Sequence, residues 1–297
     1  MKILVFYSGG KDSQACLLWA CKEYGNKNIQ AVFCDTGWEN PLTYQHIKET
    51  TNKLNVELIT LKSNKYDGFV DMAVQKKRFP STRARFCTEE LKSKPAIDYV
   101  LSLNDNVIAI QGIRKDESFS RSKMESQCTY FKFYFQPYGT DKKGRPRYHT
   151  YRSKEIKQYC KTFNADIERP IFNWTGQQTI DYIIESGQQP NPLYSMGFSR
   201  VGCFPCIMAR HHEVLQIALN FPNEWERIEL AEQETKTSLF PPDYIPKWAQ
   251  TGKDKNNISY PYAKDVKKYL LDKNATGDLF KEETEGFSCM SFYGLCE

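Results

Sequence analysis

The first sixty residues alternate short apolar, β-branched runs with longer stretches in which apolar positions recur every three or four residues. Residues 2–7, 29–34 and 56–61 read as strands, and 13–24 and 42–54 between them read as helices. Strands separated by helices of that length are joined by crossovers, so the pattern predicts a parallel sheet with helices on its faces. Segments 66–77 and 89–103 continue as helices with 83–88 as a connection, and 106–113 supplies a fourth strand. At 131–152 the pattern breaks: an aromatic run, a Gly-Thr-Asp-Lys-Lys-Gly turn signal and a basic stretch predict a β-hairpin or a long loop. Order resumes at 167–172, and Thr175 is placed as the N-cap of a helix running through 182–186. Residues 212–235 read as helix, while Pro241, Pro242, Pro246 and Pro261 cut the C-terminal quarter into short pieces. The expected fold is α/β, a doubly wound parallel sheet over residues 1–210, with 211–297 as a helical and irregular C-terminal region packed on it.

The chain has 297 residues, 40% hydrophobic and 26% charged, which suffices for a substantial core and excludes disordered or low-complexity classes. Its longest apolar runs, such as 3–7 and 107–110, fall far short of the ~20 residues of a membrane helix. Ser8-Gly9-Gly10 interrupts the place where a signal peptide would continue its apolar run. Membrane and secreted readings are therefore set aside, and a cytoplasmic address is expected. Ten cysteines without a secretory signal point to reduced thiols in metal, redox or packing roles. The net charge of +5 permits a polyanionic partner without requiring one.

Ser8-Gly9-Gly10-Lys11-Asp12-Ser13 joins the first strand to the first helix, where open parallel sheets present ligands. Gly9 and Gly10 let backbone N–H groups approach an anion, Ser8 and Ser13 add hydroxyls, Lys11 adds charge, and the helix N-terminus adds its partial positive charge. These are the parts of a pyrophosphate cradle, although the spacing is not that of a Walker loop. The segment resembles the loop of the PP-loop ATP pyrophosphatases, which cleave ATP between its α and β phosphates. Three more matches lie downstream in the same order. Residues 34–41, with Asp35-Thr36-Gly37, resemble the D-T-G-x-E-x-P of the sulfate adenylyltransferase small subunit and the phosphoadenosine phosphosulfate (PAPS) reductase family. Gly112-Ile113-Arg114, with Glu117, Ser118 and Arg121, resembles that family's G-x-R-x-x-E-S, and residues 170–206 resemble the region leading to the iron–sulfur cysteines of the APS/PAPS reductases. The resemblance implies an adenine nucleotide α-hydrolase-like fold that binds ATP through residues 8–13, Asp35, Thr36, Gly37, Gly112 and Arg114. Asp12 and Asp35 are the expected holders of Mg²⁺, while Lys11 and Arg114 would neutralise the leaving pyrophosphate. Glu39 and Glu117 are secondary candidates.

Cys203 and Cys206 form a C-x-x-C pair, a spacing at which two thiolates converge on one metal. Cys87, followed by Lys92 and Pro95, resembles the first cysteine of the C-C-x-x-R-K-x-x-P segment of iron–sulfur APS reductases, with Thr88 in place of the second. The fourth ligand is expected from Cys289 or Cys296, and the resemblance favours a [4Fe–4S] cluster over Zn²⁺. Cys16, Cys21, Cys34, Cys128 and Cys160 read as packing residues, and His211 and His212 as the start of a helix. Between 132 and 157, eight Lys and Arg residues face Asp141 and Glu155 and are interleaved with aromatic rings, a pattern suited to single-stranded nucleic acid.

Reductases that bind an already activated sulfonucleotide typically lack the loop lysine, whereas ATP-cleaving relatives keep S-G-G-x-D-S as here. The expectation is an enzyme that cleaves ATP to AMP and pyrophosphate and adenylates a target for sulfur transfer to nucleic acid. It would resemble DNA phosphorothioation or tRNA thiolation enzymes and take its sulfur from a donor protein. The alternatives are a thioredoxin-dependent APS/PAPS reductase and a non-catalytic nucleotide- or nucleic-acid-binding module.

Overall fold

The computed structural model describes residues 1–275. Its centre is a six-stranded sheet built from β1 (Lys2–Phe6), β2 (Ile29–Cys34), β3 (Glu57–Leu61), β4 (Val107–Gln111), β5 (Gln127–Thr129) and, after a two-stranded hairpin of β6 (Gly139–Thr140) and β7 (Pro146–Arg147), β8 (Ala165–Glu168). The strand order is β3-β2-β1-β4-β8-β5, with every neighbouring pair parallel except β5, which runs antiparallel to β8 at the edge. Val5 lies opposite Ala31 on one side and Ile110 on the other, and all three are buried. Such two-sided burial is why these strands read as continuous apolar runs rather than as alternating ones. The chain winds from β1 outward through β2 and β3, then returns to place β4 on the other side of β1. The sheet's topological switch point therefore falls between β1 and β4, where a doubly wound sheet opens a crevice at its strand C-termini.

Helices cover both faces. On one, α1 (Lys11–Tyr24) and α2 (Pro41–Leu54) bury Cys16, Leu17 and Ile47 against Val5, Ala31 and Ile183. On the other, Ile97, Val100 and Leu101 pack with Leu4, Val107, Phe131 and Ile156. A third core joins α3 (Phe69–Lys76) and the segment after β2 to the C-terminal helices. There Trp38, Phe69, Phe198 and Phe204 meet Val214, Trp225, Ile228 and Val266.

Several local features differ from the sequence pattern. Within the segment read as a connection, Phe86–Thr88 is already helical and runs through a π-helical turn, Glu89–Ser93, into α4 (Lys94–Ser102). The short strand β5 carries no apolar run that would mark it as a strand. In the predicted hairpin region, Lys132–Phe135 forms a helical turn before β6 and β7, and α5 (Ser153–Tyr159) comes after them. The helix after Thr175 is α6 (Gly176–Glu185), with Thr175 and Gln178 forming a reciprocal capping box. The single helix expected over 212–235 is two, α7 (His211–Asn220) and α8 (Pro222–Thr235), because Pro222 suits a helix start and has no N–H to continue the preceding one. Past the prolines, α9 (Ala263–Ala275) is a full helix where short pieces were expected. Among the described residues no helix is long and apolar enough to cross a membrane.

Carboxylates hold the C-terminal helices together. Glu232, buried on α8, accepts the N–H of Leu239 at 2.9 Å and that of Ala263, the first residue of α9, at 2.8 Å. Asp265 accepts the N–H groups of Thr251 and Tyr262, each at 3.0 Å. Burial pushes the Glu232 carboxyl up from its usual range to about 7, against the pull of its two backbone donors. The folded state therefore binds a proton that the unfolded chain has released, and the stabilisation from this group is lost as pH rises from about 4.5 through about 7. Urea-unfolding midpoints across that window should show the advantage of wild type over Glu232→Ala shrinking by roughly 2–3 kcal/mol. An advantage that stays constant with pH would refute the buried carboxyl's role.

Candidate functional site

Two glycines fix the path of the loop after β1. Gly9 has φ +77°, and a Cβ there would sit 2.9 Å from Thr43 Cγ2. At the end of β4, a Cβ on Gly112 would lie 2.6 Å from the carbonyl carbon of Asp12 and from Ser13 N, so the strand end runs directly against the first turn of α1. The Ser13 hydroxyl donates to the Gly10 carbonyl at 2.9 Å, and the Ser8 N–H donates to Ser13 Oγ at 3.2 Å. Among the described residues the amides of Gly9, Gly10 and Asp12 donate to no protein acceptor, as suits a turn built to receive an anion.

A distant segment braces this turn. The Lys11 N–H donates to the Tyr194 hydroxyl at 2.9 Å, and the Lys11 amine lies 5.4 Å from the centre of the same ring. Asn191 Nδ2 donates to the Gly9 carbonyl at 3.1 Å and to Thr43 Oγ1 at 3.2 Å, while Thr43 donates to the Val201 carbonyl at 2.6 Å. Residues 191–194 belong to the 170–206 stretch whose resemblance assigns them no role of their own. Their role is to pin the loop.

Arg114, just past β4, is buried, and its Nε donates to Asp12 Oδ1 at 2.7 Å. Gly176 opens α6 beside them: a Cβ there would lie 3.4 Å from the Arg114 guanidinium and 3.6 Å from Lys11 Cε. The N-termini of α1 and α6 thus meet around Lys11, Asp12 and Arg114. Burial lowers the pKa of the Arg121 guanidinium; Asp12 opposes this, while Arg200, Arg114 and Arg85 lower it further. Arg121 also forms an ion pair with Glu117. The surroundings of Asp12 are strongly cationic. Sequence reasoning found Lys11, Asp12, Gly112 and Arg114, and marked Arg85 as part of a basic cluster that could line the entrance for an anionic substrate, but missed Gly176 and Arg200, which carry no local motif.

Asp35, Thr36 and Gly37 sit past β2 with other partners. Asp35 Oδ1 accepts the Tyr44 hydroxyl at 2.6 Å and the Gly37 N–H at 2.9 Å, and Oδ2 lies 3.3 Å from Lys62 Nζ. Partial burial alone would raise its carboxyl, but these donors outweigh it and hold Asp35 below the usual carboxylate range. Glu39, a secondary candidate in the sequence, is fully enclosed. It accepts the Thr36 hydroxyl at 2.7 Å, the N–H groups of Thr36 and Trp38 at 3.2 Å, and the Tyr44 hydroxyl at 3.0 Å.

An isolated β-bridge joins Glu39 to Cys203, and Cys203 Sγ lies 3.9 Å from Glu39 Oε1. Burial pushes the Cys203 thiol up to about 11, against the opposing pull of the Lys92 ammonium. Cys87 and Cys203 each experience the charge of Cys206, so the three thiols share one neighbourhood. The expected ligand cage is nevertheless not assembled. Among the described residues no three His, Cys, Asp or Glu side chains are grouped so as to hold a metal ion, and Cys87 and Cys203 are partly buried against the third apolar core. Cys289 and Cys296 lie outside the described residues.

Residues 2–209 match the family model of the phosphoadenosine phosphosulfate reductase domain. The chain belongs to the PAPS reductase family. The chain is 34% identical over 193 residues to an uncharacterized 37.8 kDa protein of Escherichia phage 186, covering 61% of this chain and 49% of that one. It is 30% identical over 240 residues to an uncharacterized protein of Methanocaldococcus jannaschii, covering 80% of this chain and 43% of the other. It therefore spans about half the length of these curated relatives. A crystal structure of PAPS reductase from Candida auris in its phosphate complex matches with 17% identity and a TM-score of 0.46, over 69% of this chain and 83% of that one. For this PAPS reductase family member, the contact at Gly112 is the sharpest local test. Gly112→Ala forces the end of β4 off the α1 turn and should cost about 1–3 kcal/mol in urea unfolding; a variant as stable as wild type would show that the strand does not abut the turn.

Proposed function

We propose that the chain cleaves ATP between its α and β phosphates and adenylates an acceptor, in the service of sulfur transfer to nucleic acid. The observation that carries this reading is that Lys11, Arg114 and the N-termini of α1 and α6 meet beside the amides of Gly9, Gly10 and Asp12, which donate to no protein acceptor among the described residues. An oxygen of the acceptor attacks the α-phosphorus, the bond to the bridging oxygen breaks, and pyrophosphate leaves with both electrons of that bond. The charge that gathers on the leaving group is met by Lys11, Arg114 and the loop amides. Hydrosulfide supplied by a donor protein then bonds to the acceptor atom that carries this oxygen, and AMP leaves with the oxygen and both electrons of its bond. Asp12, held by Arg114, and Asp35, kept anionic by Tyr44 and Lys62, are the carboxylates available to the magnesium that accompanies ATP.

The iron–sulfur cluster enters this reading only through the cysteine pattern and the shared neighbourhood of Cys87, Cys203 and Cys206. No step above is routed through it. The family match supports sulfonucleotide reduction as a second reading.

Anaerobically purified protein incubated with ATP, magnesium and candidate acceptors should release AMP and pyrophosphate. Lys11→Ala should lower that release by about a hundredfold or more without loss of folding. Sulfite formed from PAPS with thioredoxin, and no pyrophosphate from ATP, would instead establish the reductase reading.

A further inference from the structure

The region between β5 and α5 exposes more aromatic surface than a solvated hairpin needs. Phe135 is 52% exposed and Tyr148 43% exposed, and among the described residues neither ring packs on another. Three neighbouring rings act as a brace instead. Phe133, Tyr138 and His149 contact one another with centroids 5.1 to 6.2 Å apart, and Arg147 lies 5.2 Å above Tyr138. Backbone bonds from Tyr138 to the Arg147 carbonyl (3.0 Å) and from His149 to the Phe133 carbonyl (2.9 Å) lock the brace to the hairpin. At the tip, Lys142 and Lys143 are exposed and form no ion pair among the described residues, whereas Arg145 is tied to Asp141 at 3.3 Å. Phe135 also borders an open cleft of about 350 Å³ lined by Glu125, Cys128, Thr129, Lys132 and Gln136.

The position of this platform matters as much as its composition. Tyr151 donates to the Asp98 carboxylate at 3.0 and 3.1 Å, Arg152 donates to it at 2.9 Å, and the Lys94 amine lies 5.3 Å over the Tyr151 ring. Asp98 and Lys94 belong to α4, the direct continuation of the helical turn that carries Cys87. A ligand lying along the hairpin is thereby led toward the cysteine segment.

We propose that the hairpin of residues 131–151 is a docking surface for single-stranded nucleic acid, with phosphates on Lys142, Lys143 and Arg147 and unstacked bases on Phe135 and Tyr148. A duplex satisfies the cations but keeps its base faces hidden, so exposed rings beside unpaired lysines favour a single strand. The cleft beside Phe135 offers a recess for a base turned out of the strand. This docking rests on the reading of the chain as an enzyme acting on nucleic acid, and it names the form in which that acceptor is recognised.

Fluorescence anisotropy with the full chain, an oligothymidine of about 20 nucleotides and a duplex of equal length reads the docking directly. The single strand should bind more tightly. Lys142→Ala/Lys143→Ala/Arg147→Ala should weaken it and reduce the slope of log K against log salt by about 2. Phe135→Ala and Tyr148→Ala should each weaken it about tenfold with the slope unchanged. Equal affinity for the duplex, or wild-type binding by all three variants, would overturn the docking. Pyrophosphate release from ATP is measured alongside: wild type that binds the strand but releases none sinks the ATP reading alone, and variants that lose the strand while keeping ATP turnover separate the two.

Discussion

The site depends on one backbone contact, the approach of the end of β4 to the first turn of α1 at Gly112. A parallel sheet that reverses its winding direction leaves a gap between the two strands at the switch point, and loops from both sides open into it. Here that gap is closed to contact distance, since a single methyl group at Gly112 would overlap the backbone of Asp12 and Ser13. The consequence is electrostatic. Arg114, two residues beyond, is carried to Asp12, and the buried guanidinium and Lys11 are held on either side of one helix start. Burying two cations in this way is costly unless anionic charge accompanies them. Asp12 provides it for Arg114.

Rigidity of the loop comes from elsewhere in the chain. The Tyr194 hydroxyl and the Asn191 amide come from residues some 180 positions away and satisfy the Lys11 N–H and the Gly9 carbonyl. A Gly-rich turn without such partners would lose its shape to conformational freedom, since glycine has the most to lose on ordering. The strap therefore turns a permissive sequence into a fixed set of donors, which electrostatic stabilisation of a leaving group requires.

Local and distant causes also divide the features that the sequence reveals from those it hides. Strands β1, β2 and β4 were legible because burial on both faces leaves continuous apolar runs such as Ile3, Leu4 and Val5, and α6 because Thr175 and Gln178 spell a capping box. The loop and Arg114 were legible because their chemistry is local: adjacent glycines and a strand end. Strand β5 was not, since three residues at a sheet edge have no periodicity, and α9 was hidden behind prolines that only break the chain before it. Gly176 and Arg200 were missed for a different reason, as their significance lies in which distant groups they meet. The cysteines show the limit from the other side. C-x-x-C spacing predicts convergence, and Cys87 and Cys203 do share a neighbourhood with Cys206, yet among the described residues they do not form a group that would hold a metal ion.

The C-terminal helices are part of the site. Arg227 on α8 donates to the carbonyls of Phe204 (2.8 Å), Glu39 (3.3 Å) and Trp38 (3.4 Å), and its guanidinium stacks 4.3 Å from the Trp38 ring. One side chain thus ties together the segment after β2 and the loop of Cys203 and Cys206. These are the two segments joined by the isolated bridge between Glu39 and Cys203. Three carbonyls and a ring face match a guanidinium's planar fork of donors, a geometry that a lysine at the same place could not reproduce. Since Trp38 also donates its ring N–H to the Pro205 carbonyl at 3.1 Å, the cysteine loop is held from both directions. Helix α8 therefore fixes how the segment after β2 sits against the cysteine loop, through one side chain that bonds both.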